Sequence, residues 1–416
     1  MKVLFLCGGI GKRMFPLTED KFLLKFLGKT LLEHQLDTAL KAGLRQFIIV
    51  ANPTNLARIE SIATRYQNAE FEFVLQEKPL GIADALGNAR HLLKDEILLV
   101  NPNDVFENTV YTNLLGARRK EKTAAFITGY KVKSYFPGGY LMVNEHGSLT
   151  RILEKPGKGS EPSDMVNILA HLHTDPETLL HYISNVKTNE DDVYEQAIDA
   201  MCKANCSIKV VPYTDAWMPI KYPWHVLDVV RYFLDRAATC ISPDAHISTQ
   251  AAIDGKVIIE EGVRVLENAV VRGPVYIGRN TVIGNSTLVR SYSHLGADCV
   301  VGFGTEIKES YVGDGTQFHM NYAGDSVIGR QCSFGAGTIT ANWRFDTKTV
   351  QVKVGNAMID TGRDKLGAFI GDNCRTGIQV GIMPGVRIGN NAIIHPQVYL
   401  TNDVGVDTIV HDHSPQ

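Results

Sequence analysis

Two stretches of this sequence combine residue types and spacings that can do chemistry. Near its start, Gly8-Gly9-Ile10-Gly11-Lys12-Arg13 follows the apolar run Val3 to Cys7, and Lys21 comes shortly after. Glycines in such a turn let backbone N–H groups close around a phosphate, and Arg13 and Lys21 supply positive charge for a polyphosphate. Turns of this kind are also built for purely structural reasons, so the glycines alone decide nothing. Far downstream comes His319-Met320-Asn321-Tyr322-Ala323-Gly324-Asp325-Ser326, followed by Gly335-Ala336-Gly337-Thr338-Ile339-Thr340-Ala341-Asn342. An imidazole titrating near neutrality can take a proton from a reacting group. A lone turn histidine can equally be satisfied by a backbone carbonyl.

The elements that must position these groups are legible in the periodicity. Apolar β-rich runs (Val3 to Cys7, Gln46 to Ala51, Phe71 to Leu75, Ile97 to Val100) alternate with helical patterns (Thr30 to Ala42, Leu56 to Tyr66, Ala83 to Leu93). That order predicts βαβ units in a mixed, mostly parallel sheet: a Rossmann-like α/β domain. Further strands are predicted at Ala124 to Val132, Gly139 to Asn144, Leu149 to Glu154, Val166 to His173 and Ile208 to Pro212. A linker helix over about 224–238 then leads out. Of the 37 glycines only 14 precede residue 241, which divides the chain into domains 1–238 and 239–416.

The second domain repeats with a period of six. Eleven aliphatic residues from Ile247 to Ile307 (Ile247, Ile253, Ile259, Val265, Val271, Ile277, Ile283, Val289, Leu295, Val301, Ile307) keep that step without a break. Tyr322, Ile328, Phe334 and Thr340 continue it, and Ile370, Thr376, Ile382, Ile388, Ile394 and Leu400 resume it. One inward branched residue per hexad, beside glycine or a polar turn residue, stacks as coils of three short strands, a parallel β-helix. The interruption at about Trp343 to Lys365 carries Arg344, Asp346, Lys348, Lys353 and Asp360 and is expected to project as an exposed loop. The closing residues Val410 to Gln416 are expected to fray.

The glycine turn, with Arg13, Pro16-Leu17-Thr18 and Lys21, closely resembles the signature of the sugar-1-phosphate nucleotidylyltransferases. The hexads resemble the left-handed β-helix family, and this implies the hand. In the first family the resemblance implies that Gly8, Gly9, Gly11, Arg13, Lys21, Gln76 and Gly81 bind the nucleoside triphosphate. It implies that Asp104 holds Mg²⁺ and that Gly139, Glu154, Lys155 and Asn167 meet the sugar phosphate. Arg13, Lys21 and Asp104 would act in catalysis, chiefly by neutralising charge, because the attacking phosphate is already an anion. The sequence departs from that pattern at Lys12, Asp20, Ile82 and Leu169. It departs again at Trp217-Met218-Pro219, where the family has an acidic or amide metal ligand; Asp215 lies close by in sequence.

The segment from His319 closely resembles the amino-sugar-phosphate acetyltransferase part of bifunctional enzymes. That resemblance makes His319 the base, Tyr322 and Asn342 sugar contacts, and Arg290 and Lys308 grips on the sugar phosphate. Acetyl-CoA would be the co-substrate, lying along coils Ile370 to Leu400 between subunits of a homotrimer or a multiple of it. The reading that follows is nucleotide-sugar biosynthesis: nucleotidyl transfer from an NTP of the UTP or dTTP class with pyrophosphate release, and acetyl transfer to an amino-sugar-1-phosphate. Two other readings stay open: nucleotidyl transfer alone with a β-helix for assembly, and a domain that binds sugar nucleotide without turnover.

Composition narrows the field further. With 42 basic and 45 acidic side chains the net charge is −3, which gives no broad footprint for nucleic acid or an anionic membrane surface. No apolar run reaches the ~18 residues of a membrane helix. Seven scattered cysteines, including Cys202 and Cys206 without a neighbouring histidine, suit reduced thiols in cytoplasm rather than a disulfide framework or a zinc site.

Overall fold

The computed structural model describes residues 1–9, 11–188 and 192–411, so Asp412 to Gln416 of the expected frayed end lie outside the described residues. Contacts divide the chain into two compact units. The first comprises Met1–Ile10 and Leu31–Trp217; the second comprises Gly11–Thr30 and Met218–Gln416. This division is not linear. A short segment from inside the glycine-turn region belongs with the C-terminal part of the chain.

In the first unit, strand Lys2–Cys7 pairs in parallel with Gln46–Ala51 on one side and with Ile97–Val100 on the other, and Gln46–Ala51 pairs in parallel with Glu70–Leu75. Strand Met165–His173 then joins antiparallel to Ile97–Val100, and beyond it come Gly139–Val143 and Leu149–Glu154. Ala125–Lys131 pairs with Met165–His173 and, in parallel, with Ile208–Tyr213. Leu4, Ile48, Val50, Leu99 and Ile127 are buried in one cluster with the helices. Helices Leu31–Lys41, Leu56–Ala63 and Ile82–Asn88 fall where the apolar spacing predicts them. Helices Thr109–Lys120, Pro176–Asn185 and Val193–Lys203 are additions. The second of these starts from Asp175, whose side chain accepts from the Thr178 N–H, with proline at the first helical position. The chain leaves Lys2–Cys7 on one side and Ile97–Val100 on the other, which makes the carboxyl ends of these two strands the crevice where open α/β sheets bind ligands.

In the second unit, helix His225–Arg236 leads into a left-handed parallel β-helix of three stacked parallel sheets. The inward positions form one continuous core: Ile259, Val265, Val271, Ile277, Ile283, Val289, Leu295, Val301 and Ile307 are each 0–1% exposed. The repeat then slips. Coil partners eighteen residues apart, such as Val289 and Ile307, give way to Leu295 with Val312 and then Ile307 with Ala323, so Val312, Phe318, Ala323 and Ile328 take the inward places. The expectation that Tyr322 continues the inward step is therefore wrong. Dropping residues at the corners moves Ala323 into the core and leaves Tyr322 half-buried on the outside, since shifting a strand by one residue exchanges its faces.

The interruption also differs from a simple projecting loop. Gln351–Val354 and Ala357–Asp360 form an antiparallel hairpin. Val350 and Val352 are buried, and a Cβ on Gly385 would come within 3.0 Å of Val350, so the hairpin's base folds back on the coils. Arg363 pairs with Asp228 of the linker helix. Its charged residues do face solvent: Arg344 pairs locally with Asp346 at 2.6 Å, beside a fully exposed Phe345.

Candidate active sites

The first unit gathers two groups of expected residues. Gly8 follows the Cys7 end of the first strand, and a Cβ there would stand 2.0 Å from Oε1 of Gln76, so only glycine admits this side chain. Gln76, 3% exposed, donates from Nε2 to the Gly81 carbonyl at 3.1 Å and to Asp84 Oδ2 at 2.8 Å. Gly81 itself has φ 93°, a backbone shape that side chains rarely adopt. Two residues that sequence reasoning passed over fix this turn: Asn55 Nδ2 donates to the Cys7 carbonyl at 2.9 Å, and Asn52 Nδ2 to that of Gly8 at 3.4 Å. Both are buried polar side chains directly after an apolar strand, which was the available signal.

The second group is Gly139, Glu154 and Asn167. Register pairs Glu154 with Gly139, and the neighbouring strand brings Asn167 alongside: a Cβ on Gly139 would meet Asn167 Oδ1 at 2.9 Å and Glu154 Oε2 at 3.1 Å. Lys155 caps the cluster with Nζ 2.8 Å from Glu154 Oε1. The result is a small polar cluster of an acceptor carboxylate, an amide and a cation, groups that can bond the hydroxyls and charge of a sugar phosphate.

Asp104 begins strand Asp104–Phe106, and its Oδ2 accepts from the Trp217 indole N–H at 2.9 Å. Trp217, two residues before Pro219 in the segment where the resemblance expects a second metal ligand, thus bonds directly to the expected metal-binding carboxylate. Asp215 is exposed and accepts from the Thr109 hydroxyl. Among the described residues no three acidic, histidine or cysteine side chains cluster as a metal site. The oxygen donors beside Asp104 do suit a hard cation, since Asn103 Oδ1 is buried without a hydrogen-bond partner. Leu169, one of the departures from the pattern, is partly buried against the core and uses its carbonyl to accept from the Asn101 N–H at 2.9 Å.

Gly11, Arg13 and Lys21 belong to the second unit rather than to the one that holds Gly8 and Gly9. Arg13 is exposed in the short turn Lys12–Met14, and the stem of Lys21 folds over Gly11, where a Cβ would lie 3.2 Å from Lys21 Cε.

On the β-helix, the expected acyltransferase residues converge. Arg290 extends the strand Leu288–Val289 and donates its N–H to the Ile307 carbonyl, which sets its side chain one rung from Lys308. Arg290 also donates to Glu306 Oε1 at 2.8 Å. Lys308, 7% exposed, donates to both oxygens of Asp325 at 2.9 and 2.8 Å. Burial works to lower the Lys308 pKa, but its bond to Asp325 outweighs this and leaves it raised. Asn342 donates to Tyr322 Oη at 3.1 Å and to Asp325 Oδ2, which closes the cluster. Asp325, with φ 49°, occupies one of the shortened corners and went unassigned in the sequence; its place directly after Gly324 is the only signal it gives. His319 sits on another shortened corner. Its backbone N–H donates to Asn321 Oδ1 at 2.7 Å, Asn321 in turn donates to Gly335 and Thr338 carbonyls, and the ring is exposed. The corner is locked by Asn321, leaving the imidazole outside.

A glycine-turn α/β unit and a hexad β-helix carrying a polar cluster define a transferase with two sites. The nucleotidyl transferase family matches residues 2–218, and the chain belongs to it. The bacterial transferase hexapeptide repeat matches residues 256–291 and 367–402. The chain is 35% identical to the bifunctional protein GlmU of Methanococcus maripaludis strain C7, covering 99% of this chain and 97% of that one. It is 34% identical to the bifunctional sugar-1-phosphate nucleotidylyltransferase/acetyltransferase of Sulfurisphaera tokodaii, covering 97% and 98%. Among solved structures, UDP-glucose pyrophosphorylase with UDP-glucose matches 57% of this chain and 99% of its own, with a TM-score of 0.49 and 17% identity.

Proposed function

We propose that this chain is a bifunctional enzyme of nucleotide-sugar biosynthesis: it transfers a nucleotidyl group to a sugar-1-phosphate and an acetyl group from acetyl-CoA to an amino-sugar-1-phosphate. The observation that carries this reading is the closed cluster of Lys308, Asp325, Asn342 and Tyr322 on the coils that also hold His319. Full-length likeness to bifunctional relatives supports both halves.

In nucleotidyl transfer the sugar phosphate oxygen attacks the α-phosphorus of an NTP of the UTP or dTTP class, and the α–β bridging bond breaks to release pyrophosphate. Gln76, Gly81 and Gly8 would hold the nucleoside, and Gly139, Glu154, Lys155 and Asn167 the sugar. Arg13, Lys21 and the amides of Gly9 and Gly11 would neutralise the polyphosphate. Asp104 would hold Mg²⁺, which when bound would supply charge neutralisation. In acetyl transfer His319 takes the ammonium proton and the amine attacks the thioester carbonyl. The C–S bond breaks; of the two protons the nitrogen gives up, one ends on the CoA thiol and the other is released to solvent. Arg290 and Lys308 would exchange their carboxylate partners for the substrate phosphate.

Exposed apolar corners of the coils at Phe303, Met320 and Ile378 support a homotrimer or a multiple of it, with CoA along coils Ile370 to Leu400 between subunits. Among the described residues no helix is long and apolar enough to cross a membrane, and the seven cysteines are all free, in keeping with a cytoplasmic enzyme. A screen of pyrophosphate release over UTP, dTTP, ATP, CTP and GTP with several hexose-1-phosphates, run beside thiol release from acetyl-CoA and glucosamine-1-phosphate, tests both halves. Silence in either assay removes that half.

A further inference from the structure

Segment Gly11–Thr30 carries both expected polyphosphate cations, yet its contacts within the second unit run along one corner and one face of the β-helix. Four residues that follow a glycine at the same corner of successive coils, Asp314, Arg330, Asp372 and Asn390, form a polar ladder. Asn390 Nδ2 donates to Thr18 Oγ1 at 2.8 Å. Arg330 pairs with Glu19 at 3.1 Å and is held in place by Asp372 at 2.8 Å. Lys25 pairs with Asp314 at 2.6 Å. On the adjoining face, the Leu27 N–H donates to Nε2 of the buried His294 at 3.2 Å, and His294 is itself clamped between the rings of Tyr276 and Tyr311. Phe26 is fully buried against Phe233 and Tyr311. Gly28, at φ 80°, leaves no room for a Cβ, which would meet Glu260 Oε1 at 2.7 Å.

These contacts flank Lys21 on both sides in the chain, and none of them uses a residue of the acyltransferase cluster, which lies on the sheet of Glu306–Lys308 and Tyr322–Gly324. We propose that the corner ladder of the β-helix, Asp314, Arg330 and Asn390 with His294 beside it, is a positioning element for nucleotidyl transfer, holding in place the segment that presents Arg13 and Lys21 to the triphosphate. The β-helix then serves the first reaction as well as the second. The physical reason is preorganisation: two long cationic side chains on a free loop lose their conformational freedom on binding, whereas an anchored loop has lost most of it beforehand. The inference rests on Arg13 and Lys21 being the polyphosphate cations.

The test uses the full-length enzyme and follows pyrophosphate and thiol release together. Asp314→Ala, Lys25→Ala and Asn390→Ala each raise the KM for NTP, by about tenfold for the ion-pair variants. They leave the KM for the sugar phosphate, the acetyl-transfer rate and the melting temperature near wild type. Exchanging the pair, Lys25→Asp with Asp314→Lys, brings the KM for NTP back toward wild type. Wild-type KM for NTP in the single variants overturns the proposal. So does parallel loss of both activities with a fallen melting temperature, or an exchanged pair no better than its worse single variant. Arg13→Ala and Lys21→Ala are run alongside. If these leave NTP kinetics untouched, the cation assignment is wrong and the proposal falls with it; if they raise the KM for NTP while Asp314→Ala does not, the positioning role alone is lost.

Discussion

The two candidate sites differ in how much of their structure is settled before substrate arrives. On the β-helix, Arg290 and Lys308 are already paired with Glu306 and Asp325, and Asn342 and Tyr322 close the set. In the first unit, Glu154, Asn167 and Lys155 gather around Gly139, but Arg13 and Lys21, the proposed polyphosphate cations, belong to a different compact unit from Gly8, Gln76 and Asp104. A ladder of stacked coils can build a site from residues sixteen to twenty apart because each rung fixes the next. An α/β sheet instead collects its site from the ends of strands and the loops after them, so its parts come from distant stretches of chain. One candidate site is thus preassembled by repetition, whereas the other is proposed to depend on anchors elsewhere in its chain.

The sharpest break in that comparison is His319→Ala. It should lower acetyl transfer by about 10²- to 10⁴-fold, the usual worth of a general base, and leave pyrophosphate release unchanged. A thiol-release assay with equal rates for both proteins would remove His319 as the base. Next comes Lys21→Ala, with an expected loss of about 10²- to 10³-fold in nucleotidyl transfer, because it deletes a charge aimed at the transferring phosphates. Acetyl transfer should be untouched, and a fall in both activities would mean that the two sites are less independent than proposed. Smaller again is Glu154→Gln, for which the KM for sugar-1-phosphate should rise about tenfold through loss of a charged acceptor and of the anchor for Lys155. An unchanged KM would place the sugar elsewhere.

Much of this was legible beforehand, for different physical reasons in the two regions. The step of six from Ile247 to Ile307 is a direct record of which side chains face inward, so the β-helix could be read off the sequence. The slip after Ile307 was not legible, because a step of five leaves no mark in composition; Tyr322 shares the polarity of a corner residue and the bulk of a core one. In the first unit, strands such as Gln46–Ala51 announce themselves by continuous apolar runs, while helix Thr109–Lys120 buries only Val110, Tyr111 and Leu114 and gives little periodic signal. Trp217 could be recognised as a departure, but its bond to Asp104 depends on two segments more than a hundred residues apart. The allegiance of Gly11–Thr30 to the β-helix is of the same kind. Lys25 with Asp314 and Leu27 with His294 are long-range pairs that no local pattern encodes.

The smallest expected effect separates the units by their response to acid. In the first unit, the Tyr194 hydroxyl lies 2.7 Å from His171 Nδ1 and 2.8 Å from His173 Nε2, all three side chains being buried. The hydroxyl can donate only to an unprotonated ring nitrogen, so at least one of the two imidazoles must be neutral for both bonds to form. Burial pushes His173 down to about 4; His171 is lowered by burial and then by the neighbouring His173. The unfolded chain, with imidazoles near ~6.5, therefore binds more protons than the folded one between that value and about 4, so stability rises with pH across this window and is lost as pH falls. For His173 the loss sets in between pH 7 and pH 6 and grows further toward pH 4. His294 in the second unit, also pushed down to about 4 by burial, contributes a term of the same sign. Urea midpoints at pH 7 and pH 6 should therefore fall in the wild type and fall less in His173→Gln. A variant as acid-sensitive as the wild type would remove His173 from the acid response and leave it to His171 and to His294 of the second unit.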